Sequence, residues 1–142
     1  MDAQSALWSV AALSALVHGL ARAAAEDPRR TWTPREVLME SSFRAARDGL
    51  GATLLHDGAL RPVAEVARAA VARAQPFAAE LGSADALGFV DRLLTEGGGA
   101  DRQRAAHARG GMPAVLAHLA AETAAGPAEP PLTRRRPRRR RA

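Results

Sequence analysis

Apolar residues recur at helical spacing from the first residues onward. Leu7, Val10, Leu13, Val17 and Leu20 step by three or four, which predicts a helix over Ala3–Ala25 with those side chains toward a core. Glu26–Trp32, which contains Pro28, reads as a loop. Thr33-Pro34-Arg35-Glu36 has the form of a capping box, with Thr33 as the cap, Pro34 at the first helical position and Glu36 reaching back. It starts a helix expected to run to about Asp48 and to stop at Gly49 and Gly51. The pattern then changes. Leu54 and Leu55, then His56-Asp57-Gly58, then Leu60 predict a short β-hairpin within Ala52–Pro62, turning on Asp-Gly. A lone hairpin is marginal in water, so it needs a sheet or a helix to lie on.

Val63–Leu81 is helical again, with Val63, Val66, Ala70 and Ala74 (or Val71) inward, Pro76 expected to kink or split it, and Gly82 ending it. Ser83 is placed to cap the next helix, which runs through Glu96 with Leu87, Val90, Leu93 and Leu94 as its apolar face. Gly97-Gly98-Gly99 breaks the chain before a short polar helix, Asp101–Arg109, and Gly110-Gly111 precedes a last helix, Met112–Ala124, with Val115, Leu116 and Leu119 inward. From Ala125 onward Pro, Gly and Arg dominate, and disorder is expected. The fold class so predicted is mainly α with one short β-hairpin.

Composition qualifies this picture. Of 142 residues, 35 are Ala, whereas Val, Leu and Phe together number 27 and Ile is absent. Ala favours helix but buries little area. The large apolar side chains fall just under the level of about 20% at which independent folding weakens. The chain is therefore either a marginal helical domain or a piece whose partner supplies part of the core. All 20 basic residues are Arg, and seven of them lie in Arg134–Arg141. Residues 1–133 then hold 13 Arg against 15 acidic groups, so the body is close to neutral and only the tail is strongly basic. The absence of Cys excludes disulfides, thiolate metal sites and a cysteine nucleophile, and is compatible with the cytoplasm. Ala3–Gly19 is free of charge, but it follows Asp2 without Lys or Arg and its middle is mostly Ala and Ser. An ordinary helix is expected there, rather than a signal peptide or a membrane span.

Two segments carry candidate chemistry. Ser42-Phe43-Arg44-Ala45-Ala46-Arg47-Asp48-Gly49-Leu50 places two Arg three apart on one helical face. Paired guanidinium groups suit a carboxylate or phosphate, but the same residues also fit a solvated surface with Arg44 paired to Glu40. Gly97-Gly98-Gly99-Ala100-Asp101-Arg102-Gln103-Arg104 is a glycine loop entering a helix, where free amides and two Arg favour anions; a flexible turn before a polar helix is the competing reading. His18, His56, His107 and His118 lack metal-ligand spacing, and no metal site or catalytic nucleophile is assigned.

Taken in order, the Phe43–Leu50 motif, the Leu-rich hairpin, the helix led by Pro62-Val63 and ending Glu80-Leu81-Gly82, and then Gly99–Arg104 with Gly110-Gly111 resemble the carboxyl-terminal part of the carboxylate–amine ligases, also described as type-2 glutamate–cysteine ligases. The resemblance covers roughly Ala3 to Thr123. Phe43 stands where the family usually has Trp, Ser42 where it often has Asn, and Gly98 where a polar residue is usual. The resemblance implies that residues 1–124 are the carboxyl-terminal helical portion of an α+β catalytic domain of glutamine-synthetase-like fold, with 125–142 a disordered Pro/Arg-rich tail. It implies an ATP- and Mg²⁺-dependent ligation in which the glutamate γ-carboxylate is phosphorylated and the amine of cysteine, or a related amine, attacks the acyl phosphate. Arg44, Arg47, Asp101, Arg102 and Arg104 become the candidates for contacts to substrate or phosphate, and Arg47 and Arg102 are expected to serve activity rather than stability. The family's metal-binding sheet lies upstream of these motifs, so the chain alone is expected to bind neither ATP nor Mg²⁺, to be inactive and to need a separate amino-terminal half. No membrane partner is expected. The alternative is a non-enzymatic helical module whose Arg-rich tail contacts nucleic acid weakly and without sequence preference.

Overall fold

The computed structural model describes residues 6–26 and 33–125. In chain order it forms α1 (Leu7–Glu26), α2 (Arg35–Asp48), a short 3₁₀ turn (Gly49–Gly51), β1 (Thr53–His56), β2 (Ala59–Pro62), α3 (Val63–Glu80), α4 (Ala84–Leu87), α5 (Phe89–Glu96) and α6 (Gly99–Ala124). The fold is mainly helical with one antiparallel hairpin. The loop expected beyond Glu26 and the disorder expected after Ala125 fall outside the described residues.

The core forms where α1 lies on α3, α4 and α5. Its α1 side is Trp8, Ser9, Ala12, Ala15, Gly19 and Ala23, not the stripe of larger residues. Leu7, Val10, Leu13 and Val17 point outward, and of the expected face only Leu20 packs partly against the core. The reason lies in how closely the helices approach. A Cβ added at Gly19 would stand 2.8 Å from the Ala74 Cβ and 2.9 Å from the Ala74 carbonyl oxygen. Small residues on both helices permit that approach, and large ones would hold the helices apart. Ala74 and Ala78 of α3 complete the contact. Leu87, which is fully buried, and Val90 and Leu93 supply larger side chains, as the periodicity of that segment predicts; Leu94 is only partly buried, and Phe89, outside the predicted face, is buried with them. Burial of a Leu of this kind contributes about 2 kcal/mol. Ser9, buried among them, donates its hydroxyl to the Ala6 carbonyl at 2.7 Å and so carries no unpaired group into the core. By length and composition α1 could cross a membrane, yet a third of its most apolar stretch is buried inside the molecule.

Several local expectations change. α2 begins at Arg35, with Pro34 extended (φ −52°, ψ 141°) at its cap and no side-chain cap bond, so the Thr33 box does not form. The Pro34 carbonyl accepts from Val37 and Leu38, which starts the helix one residue later than the box requires. Ser83 does not cap the following helix. Its amide and hydroxyl both donate to the Ala78 carbonyl, at 2.8 and 3.3 Å, and close the end of α3 instead. The helix expected from there to Glu96 is divided in two, and Gly88 joins α4 to α5. Pro76 sits inside α3 without splitting it, because the buried Ala74 and Ala78 hold the segments on both sides against α1. Leu116 is exposed, Leu119 is half-buried, and Val115 alone of the expected trio is buried.

The hairpin forms with Asp57-Gly58 at its turn, as expected. Leu55 pairs with Leu60 and His56 with Ala59, and Asp57 (φ 49°) and Gly58 (φ 77°) make a two-residue turn with both angles positive. It rests against α2, which answers its need for a helix to lie on. α6 is one helix in outline, but Gly110 (φ −166°) and Gly111 (φ 64°) are non-helical and divide it where the glycine pair predicts.

Candidate functional site

The end of α2 and the start of α6 face one another across an open cleft of about 600 Å³. It is lined by Arg47, Asp48, Gly49 and Leu50 on one side and by Gly98, Ala100, Asp101 and Arg104 on the other. The two arginine motifs, some 50 residues apart in the chain, therefore meet at one place.

Each arginine is held by an adjacent carboxylate. Arg47 donates in a fork to Asp48, Nε to Oδ1 at 2.8 Å and Nη2 to Oδ2 at 2.7 Å, and its guanidinium lies 5.4 Å from the Phe43 ring centre. Arg104 donates to Asp101 Oδ1 at 2.6 Å. The other Asp101 oxygen accepts from the Gly98 amide at 3.0 Å and caps α6. Hydrogen bonding to Arg47 draws the Asp48 carboxyl below its ordinary range and raises the Arg47 guanidinium in turn. The Arg104 contact, then the Gly98 amide, do the same for Asp101. Both arginines stay largely open to solvent, Arg47 at 60% and Arg104 at 70% of the side chain. They can thus exchange an aspartate for an incoming carboxylate or phosphate without leaving a buried charge unpaired.

The other two candidate arginines lie elsewhere. Arg44 does not line this cleft. It pairs with Glu40 at 2.7 Å and borders a separate, mostly apolar pocket of about 320 Å³ between α2 and the hairpin, with Leu55 and Leu60. Arg102 turns inward. Its side chain is only 14% exposed; Nε donates to Glu122 at 2.7 Å, Nη1 donates to the Gly97 carbonyl at 2.8 Å, and the guanidinium lies 5.4 Å from the Trp8 ring. In this arrangement it ties the start of α6 to its far half and to α1, which differs from the expectation that Arg102 contributes little to holding the chain together. Trp8 also takes Arg92 over its ring at 4.4 Å and meets Phe89 at 5.8 Å. Neither Trp8 nor Glu122 stood out in the sequence, because nothing in the spacing links positions 8, 102 and 122.

Among the described residues no cluster of His, Asp and Glu is composed to hold a metal ion. The arginines of the cleft can take a carboxylate or phosphate; its two carboxylates, Asp48 and Asp101, are each engaged by an arginine and are too few to make a Mg²⁺ site by themselves.

Comparison with known proteins agrees with the motifs. The model of glutamate-cysteine ligase family 2 (GCS2) matches residues 1–126. A Rubrobacter xylanophilus protein named "Putative glutamate--cysteine ligase 2-3" is 40% identical over 128 residues, covering 87% of this chain and 34% of that protein. A second from that organism, with the same name numbered 2-1, is 33% identical over 115 residues, covering 78% and 31%. A Frankia alni protein of this name, numbered 2-2, is 36% identical over 109 residues, covering 69% and 28%. No solved structure matches. The chain spans about a third of the length of these relatives. With both arginine motifs inside the matched region, the chain belongs to glutamate-cysteine ligase family 2.

Proposed function

We propose that this chain forms part of an ATP-dependent carboxylate–amine ligase, and that Arg47 and Arg104 hold anionic groups of its substrates in the cleft between α2 and α6. The observation that carries the reading is the meeting of the two family motifs in one cleft, with both guanidinium groups exposed and each paired to an exposed aspartate. In such a ligation the γ-carboxylate of glutamate attacks the terminal phosphorus of ATP and ADP leaves. The amine of cysteine, or of a related compound, then attacks the acyl phosphate, forming the amide and releasing phosphate and a proton. Negative charge sits on carboxylate and phosphoryl oxygens throughout. Two fixed guanidinium groups stabilise it best where it grows. Asp48 and Asp101 keep the two side chains aimed into the cleft until substrate replaces them. Any Mg²⁺ ion is held by parts of the ligase outside the described residues.

The test is a chimaera in which this chain replaces the matched third of the 40% identical R. xylanophilus relative. ADP release is measured with ATP, Mg²⁺, glutamate and cysteine. Arg47→Ala and Arg104→Ala are each expected to lower kcat/KM by about 10² or more, as removal of a charge-stabilising donor does elsewhere. Unchanged turnover in both variants would show that the cleft holds no reacting anion.

A further inference from the structure

α1 carries its larger apolar side chains on the wrong side for its own core. Leu7, Val10, Leu13 and Val17 lie within one third of the helix circumference, and between 39% and 63% of each is exposed. α2 has the same deficit: it buries no residue, and Leu38 and Met39 are more than half exposed. Scattered surface Leu residues are ordinary, but a four-residue stripe along a 20-residue helix is a contiguous patch and marks a contact. The molecule's own core, by contrast, is built largely of Ala.

Coverage points to the occupant. The matching region fills most of this chain but only 28–34% of each relative. The remaining two thirds of such a ligase must abut this third along some surface, and large apolar side chains facing outward are what one face of a divided core leaves exposed. A lipid surface fits less well, because α1 has no basic residue in its last turn and its polar positions do not form a cationic face. We infer that the outer face of α1, the stripe Leu7, Val10, Leu13 and Val17, is the docking surface for the part of the ligase that lies outside the matched third. The inference rests on family membership, and its readout is association rather than turnover. An inactive complex would sink the ligase reading and leave the surface standing.

The experiment mixes the full 142-residue chain with the R. xylanophilus relative's portion outside the match, and follows assembly by light scattering and calorimetry. A one-to-one complex is expected. Val10→Asp and Val17→Asp should each weaken it at least about tenfold. Both positions are exposed in the free chain, so its melting temperature should stay within about 2 °C. Arg68→Ala, exposed on α3, should bind as the parent does. Three results would overturn the inference: no complex, a complex indifferent to both Asp variants, or a dimer of this chain or binding to anionic vesicles that the same variants abolish.

Discussion

The crossing of α1 and α3 at Gly19 offers a sharp test of how this Ala-rich core is held. A glycine within a helix is ordinarily a weakness, and replacement by Ala gains about 1 kcal/mol of helix preference. Here the new Cβ would meet Ala74 at 2.8 Å (Cβ) and 2.9 Å (carbonyl oxygen), and the oxygen belongs to a backbone that cannot swing aside as a long side chain could. Overpacking of this sort costs roughly 1–3 kcal/mol. α1 must also lift from α3, which loosens Ala12 and Ala15 in the same core cluster. The clash outweighs the helix gain, so Gly19→Ala should lose about 1 kcal/mol net, a fall of roughly 2–4 °C in melting temperature for a chain of 142 residues. Gly19→Leu adds three further carbons beyond the first clash and should lose about 2–3 kcal/mol. Thermal unfolding followed by far-ultraviolet circular dichroism measures both. Ala11→Gly, at an exposed position of the same helix, calibrates the helix preference. If Gly19→Ala raised the melting temperature, as an unconstrained helical glycine would, the close approach of α1 and α3 would be refuted.

Trp8→Ala removes the ring beneath Arg92 and Arg102 and its contact with Phe89, and should cost about 3–5 kcal/mol, read by chemical denaturation. Arg102→Ala removes the bonds to Glu122 and to the Gly97 carbonyl and the guanidinium over Trp8, and should cost about 1–3 kcal/mol, whereas Arg47→Ala and Arg104→Ala should leave the melting temperature nearly unchanged; the reverse ranking would contradict the assignment of Arg102 to structure. Asp101 has a lowered folded-state pKa, so its stabilisation of the α6 start is complete above the ordinary carboxylate range and is lost as pH falls through the lowered value. Asp101→Asn should remove this acid dependence in amide exchange at Gly98, and exchange that ignores pH in the parent chain would oppose it.

The sequence was most legible where one local rule decided the outcome. The Asp57-Gly58 turn fixed the hairpin register, Gly110-Gly111 divided α6, and the Leu87–Leu93 spacing named the larger half of the core. It misled where packing distance decided. In α1 the periodic Leu and Val residues marked a true face but not the inner one, because a helix pair that closes on Gly19 and Ala74 selects small residues for its contact. Thr33 and Ser83 show the same limit on a smaller scale. Each had the right chemistry for a cap, and in each case the backbone path took the cap elsewhere. Of the candidate arginines, motif order grouped all four, but only three-dimensional placement separated Arg47 and Arg104, which share a cleft, from Arg44 on the hairpin side and from Arg102 over Trp8.

The ligase reading is tested most directly by ADP release with ATP, Mg²⁺, glutamate and cysteine, run side by side on the 142-residue chain and on its chimaera with the R. xylanophilus relative. The account predicts no turnover by the chain alone, and turnover by the chimaera that requires both glutamate and an amine and falls about 10² or more with Arg104→Ala. Turnover by the chain alone, or a folded chimaera that releases ADP equally well with Arg104→Ala, would contradict it.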